Sequence, residues 1–381
     1  MNDKKLAVGI VFGGQSGEHE VSIRSAASVI AAIDDSKYTI IPIGITKDGR
    51  WITSGDPMKI LIDHADPEML GSIPDELESR GYECGVKRFS HAPELKEAMH
   101  LPPPDLIQTL DVAFPVLHGP FGEDGTIQGL FEMAGIPYVG CGVLASSVAM
   151  DKILFKHILR SLQIPTPQFF EIHQVDIIQD CLHTARQAID QLGLPVFCKP
   201  ANLGSSVGIT KCNDLNELMI GLEQACRFDS RIIVEAAVPN VREIEVSVLG
   251  YQDPEASIPG EIRPSREFYD YTAKYIDSGD DSSALIIPAP VDEIQIERCR
   301  ELAVKIFAAI DGAGMARVDF LLNSGTGEIL LNEINSIPGF TSISMYAKLW
   351  DASGIPYHEL IDRLILLALE RFRVRSGKAM N

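Results

Sequence analysis

Two hydrophobic periods alternate along this chain. Leu6 to Phe12 is a nearly continuous apolar run, the kind a parallel sheet buries on both faces; it enters Gly13 and Gly14 and gives way to a helical spacing from Val21 to Ile33. A second strand is predicted at Tyr38 to Ile45, and a third at Asp111 to Leu117, ending in the glycine-rich turn HGPFGEDGT before a helix from Ile127 to Ala134. Strands alternating with helices predict a parallel sheet whose loops gather at its carboxyl edge. Between them, residues 54–104 are turn-rich and close on Pro102, Pro103 and Pro104, which predicts a surface insertion.

From Val196 the period shortens. VFCKP and VGITKC read as short strands around NLGSS, followed by RIIVEAAV and EIEVSVLG, an antiparallel stretch fit for a separate α+β lobe. An amphipathic helix from Asp292 to Ile310 precedes two further alternating runs, Met315 to Leu322 and LLNEIN, joined by the turn-rich NSGTGE. A helix from Tyr357 to Phe372 closes the pattern, and no internal repeat or low-complexity tract interrupts it.

The last hairpin carries the densest chemistry. Asp319 lies in its first strand, and Glu333 and Asn335 stand two apart, hence on one face, in its second. Paired, the strands converge three hard oxygen donors, the set Mg²⁺ favours when phosphate and water complete its shell. Without phosphate-binding partners the same residues would be only a solvated face. Partners exist in the middle of the chain. Lys199 ends a strand, and Gly204, Ser205, Ser206 and Gly208 form a small-residue loop whose N–H groups and hydroxyls can wrap a polyphosphate, although such a loop is also an ordinary turn. Lys152 opens a helix as a second phosphate candidate or as a solvated first-turn lysine. Glu235, at the end of RIIVEA, can accept hydrogen bonds from adenine or ribose. No GxxxxGK[ST] is present, which excludes a P-loop.

Composition narrows the class. The 381 residues, 45% hydrophobic and 23% charged, suffice for two or three cores. A net charge of −20 repels polyanions, so nucleic acid is excluded as a wholesale partner while local lysines remain able to hold a small phosphate. Seven scattered cysteines without a CxxC fit free thiols in a reducing cytoplasm. The apolar start is too short for a signal peptide, and no stretch reaches the roughly 18 apolar residues of a membrane span.

In order, GGQSGEHEVS, FPVLHGPFGEDGTIQG, MDK, CKPANLGSSVGI, EFYDYTAKYI, MARVDF and NEINSIPGFTSISMY resemble the D-alanine:D-alanine ligases of the ATP-grasp superfamily over essentially the whole chain. The resemblance implies an ATP-grasp fold behind an N-terminal parallel-sheet domain, with lobes at 1–147, 148–240 and 241–381. It implies ATP, two Mg²⁺ (or Mn²⁺) ions and two D-alanines joined through an acyl phosphate, in a cytoplasmic homodimer without nucleic-acid or membrane partners. Glu18 matches the carboxylate that meets the ammonium of the first D-alanine, and Ser205 and Tyr275 match the hydroxyls bonded to it. His118 matches a histidine beside that substrate, with a buried structural histidine as the other reading. Lys152 and Lys199 match lysines on ATP phosphates. Ser206, Glu235, Glu243 and Phe268 match the rest of the nucleotide site, and Asp319, Glu333 and Asn335 the metal ligands. Arg317 and the Gly339 N–H match the groups that steady the developing oxyanion, and Lys274 and Ser344 those near the second substrate's carboxylate.

Ala236 and Ala237 depart from relatives that place a lysine and a bulky aromatic after Glu235, which puts the adenine pocket in doubt. The intact Tyr275 separates the chain from relatives that accept D-lactate. D-serine or D-lactate as acceptor, another carboxylate–amine ligase, and a non-catalytic nucleotide binder are the competing readings. The last needs a broken metal triad or a missing arginine, and neither is seen.

Overall fold

A computed structural model describes residues 5–52, 55–70, 101–103, 106, 108–204, 207–263 and 284–377. Its first sheet is built on β1 (Leu6–Gly13), which leads into α1 (His19–Ala32) and returns through β2 (Tyr38–Ile45) and the short β3 (Trp51–Ile52); α2 (Pro57–His64), α3 (Pro67–Leu70) and β4 (Val112–Pro115) follow. The strand order is β3-β2-β1-β4, with β1 parallel to both β2 and β4 and only β3 antiparallel. The continuous apolar run of β1 is explained by burial on both faces: Val8, Ile10, Val11 and Phe12 are all fully buried.

The expected surface insertion is corrected at its start. Met58, Leu61 and Leu70 are buried in the core beneath β1 and α1. Within that turn-rich stretch Asp56 and Pro57 are a helix start, with Asp56 capping α2 through Lys59 N–H at 3.1 Å and Pro57 in the first turn. Residues 71–100, the bulk of the insertion, lie outside the described residues.

Helices α4 (Thr126–Ala134), α5 (Val143–Met150) and α6 (Lys152–Ser161) lead to the second sheet. Here β5 (Phe169–His173), β6 (Val196–Pro200), β7 (Thr210–Cys212) and β8 (Arg231–Ala236) pair antiparallel in the order β5-β8-β6-β7, covered by α7 (Gln174–Leu192) and α8 (Leu215–Ala225). The antiparallel stretch that begins at β6 divides after β8. The next strand, β9 (Val241–Gly250), belongs to a third sheet with β10 (Glu255–Ala256), β11 (Gly260–Arg263), β12 (Ala284–Ile286), β13 (Gly314–Asn323) and β14 (Ile329–Asn335).

The helix α9 (Glu293–Ala309) packs Leu302, Ile306 and Phe307 behind this third sheet, with Phe155 and Leu159 of α6 in the same core. The closing helices α10 (Met345–Ala352) and α11 (Tyr357–Arg375) carry Tyr346, Trp350, Leu360 and Leu364 into the core of the first sheet. Phe340 in the preceding loop is fully buried against Phe114 of β4, ring centroids 5.6 Å apart. Burying such a ring contributes roughly 1.5–3 kcal/mol. That contact pins the loop after β14 onto the carboxyl end of the first sheet, where the parallel-sheet loops gather.

Candidate active site

A cleft of about 340 Å³ lies between the third sheet, the start of α1, α6 and the loop after β6, lined among others by Glu18, Lys152, Arg317, Glu333, Asn335 and Gly339. On the first sheet's side, Gly13 turns the chain at φ +92°, where a Cβ would fall 2.1 Å from the Ile45 carbonyl oxygen, so only glycine fits. The turn delivers Glu18, a residue 7% exposed, to the start of α1, where its carboxylate takes no part in helix capping. The positive end of α1 favours the charge it carries there. Two loops close on this carboxylate: a Cβ at Gly119, itself at φ +71°, would lie 3.1 Å from Glu18 Oε2, and one at Gly204 would lie 3.6 Å away. The phosphate-loop candidate of the second sheet thus reaches Glu18 of the first; its Ser205 and Ser206, with Phe268, Lys274 and Tyr275, lie outside the described residues.

His118 sits behind this wall. Its Nδ1 is 3.0 Å from the Ile337 carbonyl and its Nε2 3.1 Å from Ser25 Oγ. The carbonyl accepts only, so Nδ1 carries the proton and Nε2 accepts from the serine. Burial lowers the ring's pKa, which keeps it neutral. Ser25, not the imidazole, lines the cleft. Glu123 was not singled out from its segment, yet it lines the cleft and accepts from Gly119 N–H at 2.6 Å. Burial, with the charge of Glu18 adding to it, pushes its carboxyl up to about 8.

The opposite wall is the face of the third sheet. β13 pairs with β14 and β9 so that Glu245, Asp319 and Glu333 form one row across three strands, with Ser247, Arg317 and Asn335 in the next. The hairpin and the shared face are as the alternation predicts; the irregularity between Asp319 and Phe320 is not. Arg317 donates a fork to Asp319, Nε and Nη2 each 2.7 Å from a carboxylate oxygen, and its Nε lies 3.0 Å from Glu245. Burial opposes the guanidinium charge, but Asp319 and Glu245 outweigh it and raise its pKa well above normal. Glu245 is a residue the sequence reading passed over in favour of Glu243, two places earlier on the same face. Asn335 Oδ1 accepts from Ile337 N–H at 3.0 Å and so shapes the turn toward Gly339. Ser344 Oγ, 2.7 Å from Thr341 Oγ1, lines the same end of the cleft.

A divalent cation fits this wall by donor type and charge. Three carboxylates surround one arginine, and Asp319, Glu333 and Asn335 offer hard oxygens from adjacent strands. Among the described residues no three His, Cys, Asp or Glu side chains are already gathered at ligand spacing, and both oxygens of Asp319 face Arg317. Asp319 therefore has to divide its lone pairs between the guanidinium and an ion.

The nucleotide candidates form a third group. Lys199 Nζ donates to Glu235 Oε2 at 2.9 Å, across the β6–β8 pair, and Lys156 Nζ approaches Glu235 Oε1 at 3.4 Å. Burial opposes the Glu235 charge, yet the two ammoniums prevail and hold the carboxyl down to about 2. Lys199 is raised despite burial by Glu235, and it also feels Glu333 and Glu243. Lys156 is lowered by burial, with Glu235 pulling it up and Lys199 pushing it down. The sequence reading did not single out Lys156. Lys152 donates its ammonium to the Leu203 carbonyl and its N–H to the Ala201 carbonyl at 3.0 Å, which ties the start of α6 to the loop after β6.

Family models of the D-ala D-ala ligase N-terminus and C-terminus match residues 7–141 and 158–366. The chain belongs to the D-alanine:D-alanine ligase family. The D-alanine--D-alanine ligase of Thermoanaerobacter sp. (strain X514) is 48% identical over 97% of this chain and 98% of its own, and that of Heliobacterium modesticaldum is 44% identical over 98% of each. Among solved structures, the D-alanine-D-alanine ligase from Coxiella burnetii superposes with a TM-score of 0.76 at 32% identity, covering 98% of this chain and 96% of that one. The D-Ala:D-Ser ligase VanG from Enterococcus faecalis superposes at 0.77, also at 32% identity, covering 96% and 100%. The ATP-grasp fold expected from the motifs is therefore the fold of this chain.

Proposed function

We propose that this protein joins two D-alanines into D-alanyl-D-alanine at the expense of ATP, through a D-alanyl phosphate, and so supplies a peptidoglycan precursor. Membership of the ligase family over nearly the whole chain carries the reaction class. The observation that carries the site is the single cleft bringing Glu18, Lys152, Arg317 and Glu333 together from separate parts of the fold.

The charges set the order of events. ATP and a carboxylate repel, so cations must gather them before in-line transfer. Glu18 binds the ammonium of the first D-alanine by a charge-assisted bond, directing its carboxylate toward the third sheet. Lys152 and Lys199 take the phosphates, and Glu235 and Glu243 the nucleoside. The γ-phosphoryl leaves ADP for the carboxylate oxygen, forming an acyl phosphate; the amine of the second D-alanine, held near Ser344, then attacks the carbonyl carbon and expels inorganic phosphate. Arg317 and the Gly339 N–H steady the oxyanion that forms in that attack. Asp319, Glu333 and Asn335 would hold Mg²⁺ or Mn²⁺, which when bound neutralises the phosphate oxygens. His118 positions Ser25 and the 336–340 loop from behind. The loop around Ser205 and the segment 264–281, with Tyr275, Lys274 and Phe268, serve as the lid that keeps water from the acyl phosphate.

The lobes 1–147, 148–240 and 241–381 follow the three sheets in this reading, which places the protein in the cytoplasm as a homodimer. All six described cysteines are free, which suits a reducing compartment, and no described helix is long and apolar enough to cross a membrane. Sedimentation tests the dimer. The reaction is tested by phosphate release from ATP with D-alanine alone and with D-serine or D-lactate added, followed by mass analysis. D-Alanyl-D-alanine as the main product is expected; no phosphate release with D-alanine, or an equal yield of the ester with D-lactate, would overturn the assignment.

A further inference from the structure

Glu235 is a buried carboxylate between two lysines, one more cation than its charge requires. Lys199 reaches it from the neighbouring strand at 2.9 Å, and Lys156 reaches it from α6 at 3.4 Å. The two lysines are held differently. The Lys156 side chain is 1% exposed, and its ammonium faces three acceptors: Thr166 Oγ1 at 3.0 Å, the Asn332 carbonyl at 3.4 Å and Glu235. Three acceptors match the three N–H bonds of an ammonium. Lys199 is 11% exposed, and Glu235 is the acceptor its ammonium is bonded to.

Resting on the reading in which Lys199 binds phosphate, we infer that Lys156 is a positioning residue, the resident counterion of Glu235 that lets Lys199 leave for the polyphosphate of the nucleotide. A buried carboxylate stripped of its only cation is costly, on the order of several kcal/mol. If Lys199 were the sole partner of Glu235, that cost would be charged against every phosphate contact it made. With Lys156 in place the carboxylate keeps a cation throughout and stays anionic toward the nucleoside. Lys156 also bonds the carbonyl of Asn332, next to Glu333, so the same side chain fixes the metal-bearing strand against the nucleotide pocket.

The test compares binding of adenosine, which has no phosphate, with binding of adenylyl imidodiphosphate in the presence of Mg²⁺. The ratio of the two dissociation constants isolates the phosphate contribution. Lys156→Met, and Lys156→Gln should Met fail to fold, is expected to lower that ratio about tenfold or more, the worth of one charge-assisted contact, with little change in adenosine binding. Adding Glu235→Gln to either variant is expected to restore the ratio, because Lys199 then has no buried carboxylate to hold it. Glu235→Gln alone is expected to leave the ratio at or above the wild-type value. A filler role for Lys156 would instead lower stability and weaken both ligands alike, and that outcome, or a ratio not restored in the double variant, or a ratio that falls in Glu235→Gln alone, would overturn the proposal. Failure of the wild-type protein to bind the triphosphate analogue more tightly than adenosine would instead overturn the phosphate role of Lys199.

Discussion

The two walls of charge in this protein are built from the same kinds of groups with opposite surplus. On the third sheet Glu245, Asp319 and Glu333 surround one arginine, an excess of negative charge at the edge of the cleft. Between α6 and the second sheet Lys156 and Lys199 enclose one carboxylate, an excess of positive charge more deeply buried. The two walls adjoin, since Lys199 feels the charge of Glu333. In the proposed reaction a metal–polyphosphate complex would lie between them, its cation toward the acidic wall and its phosphates toward the basic one.

The sharpest break of this comparison is removal of charge from the acidic face. Asp319→Asn or Glu333→Gln is expected to lower kcat on the order of 10³-fold, the worth of several kcal/mol of transition-state stabilisation, with the fold intact by circular dichroism. Wild-type turnover at ordinary Mg²⁺ would remove these residues from the site. Arg317→Lys keeps the charge but loses the planar fork that engages Asp319, and kcat is expected to fall about 10²-fold with nucleotide affinity nearly unchanged. A collapse of nucleotide binding with normal turnover would make Arg317 an ATP ligand.

On the basic side, Lys199→Met is expected to raise the KM for ATP about tenfold or more while the KM for D-alanine moves little. The smallest effect concerns the carboxylate that belongs to neither wall. The carboxyl of Glu123 titrates at about 8 in the fold against 4.5 in the unfolded chain, so the fold binds the extra proton and stability falls as pH rises through that window. Glu123→Gln removes the titration and keeps an acceptor for Gly119 N–H. Its Tm relative to wild type is expected to rise with pH between 4.5 and 8 and to stay level above that; a difference independent of pH would contradict the placement.

What the sequence discloses follows from which contacts are local. The acidic face was legible because strict alternation in ARVDF and LLNEIN forces Arg317, Asp319, Glu333 and Asn335 outward together once the hairpin closes. Glu245 obeys the same alternation, but nothing local says that β9 lies beside β13 rather than with β8. Lys156 was illegible for a different reason. In an amphipathic helix a lysine reads as solvent-facing, and it takes Glu235, 79 positions away on β8, to show why this one is buried. Glu123 sits in a loop with no period to orient it. The helix α2 was hidden by the turn-like composition of its flank, which on burial of Met58 and Leu61 proves to be capping chemistry.

Binding of Mn²⁺ and of nucleotide measured side by side in Glu333→Gln and Lys199→Met tests the opposite surplus most directly, with the metal followed by electron paramagnetic resonance at saturating ADP and the nucleotide by calorimetry. The account predicts that Glu333→Gln weakens the metal about tenfold or more and leaves adenosine binding unchanged, while Lys199→Met weakens ADP and leaves adenosine unchanged. Equal loss of metal and adenosine in both variants, or metal binding untouched in Glu333→Gln, would contradict it.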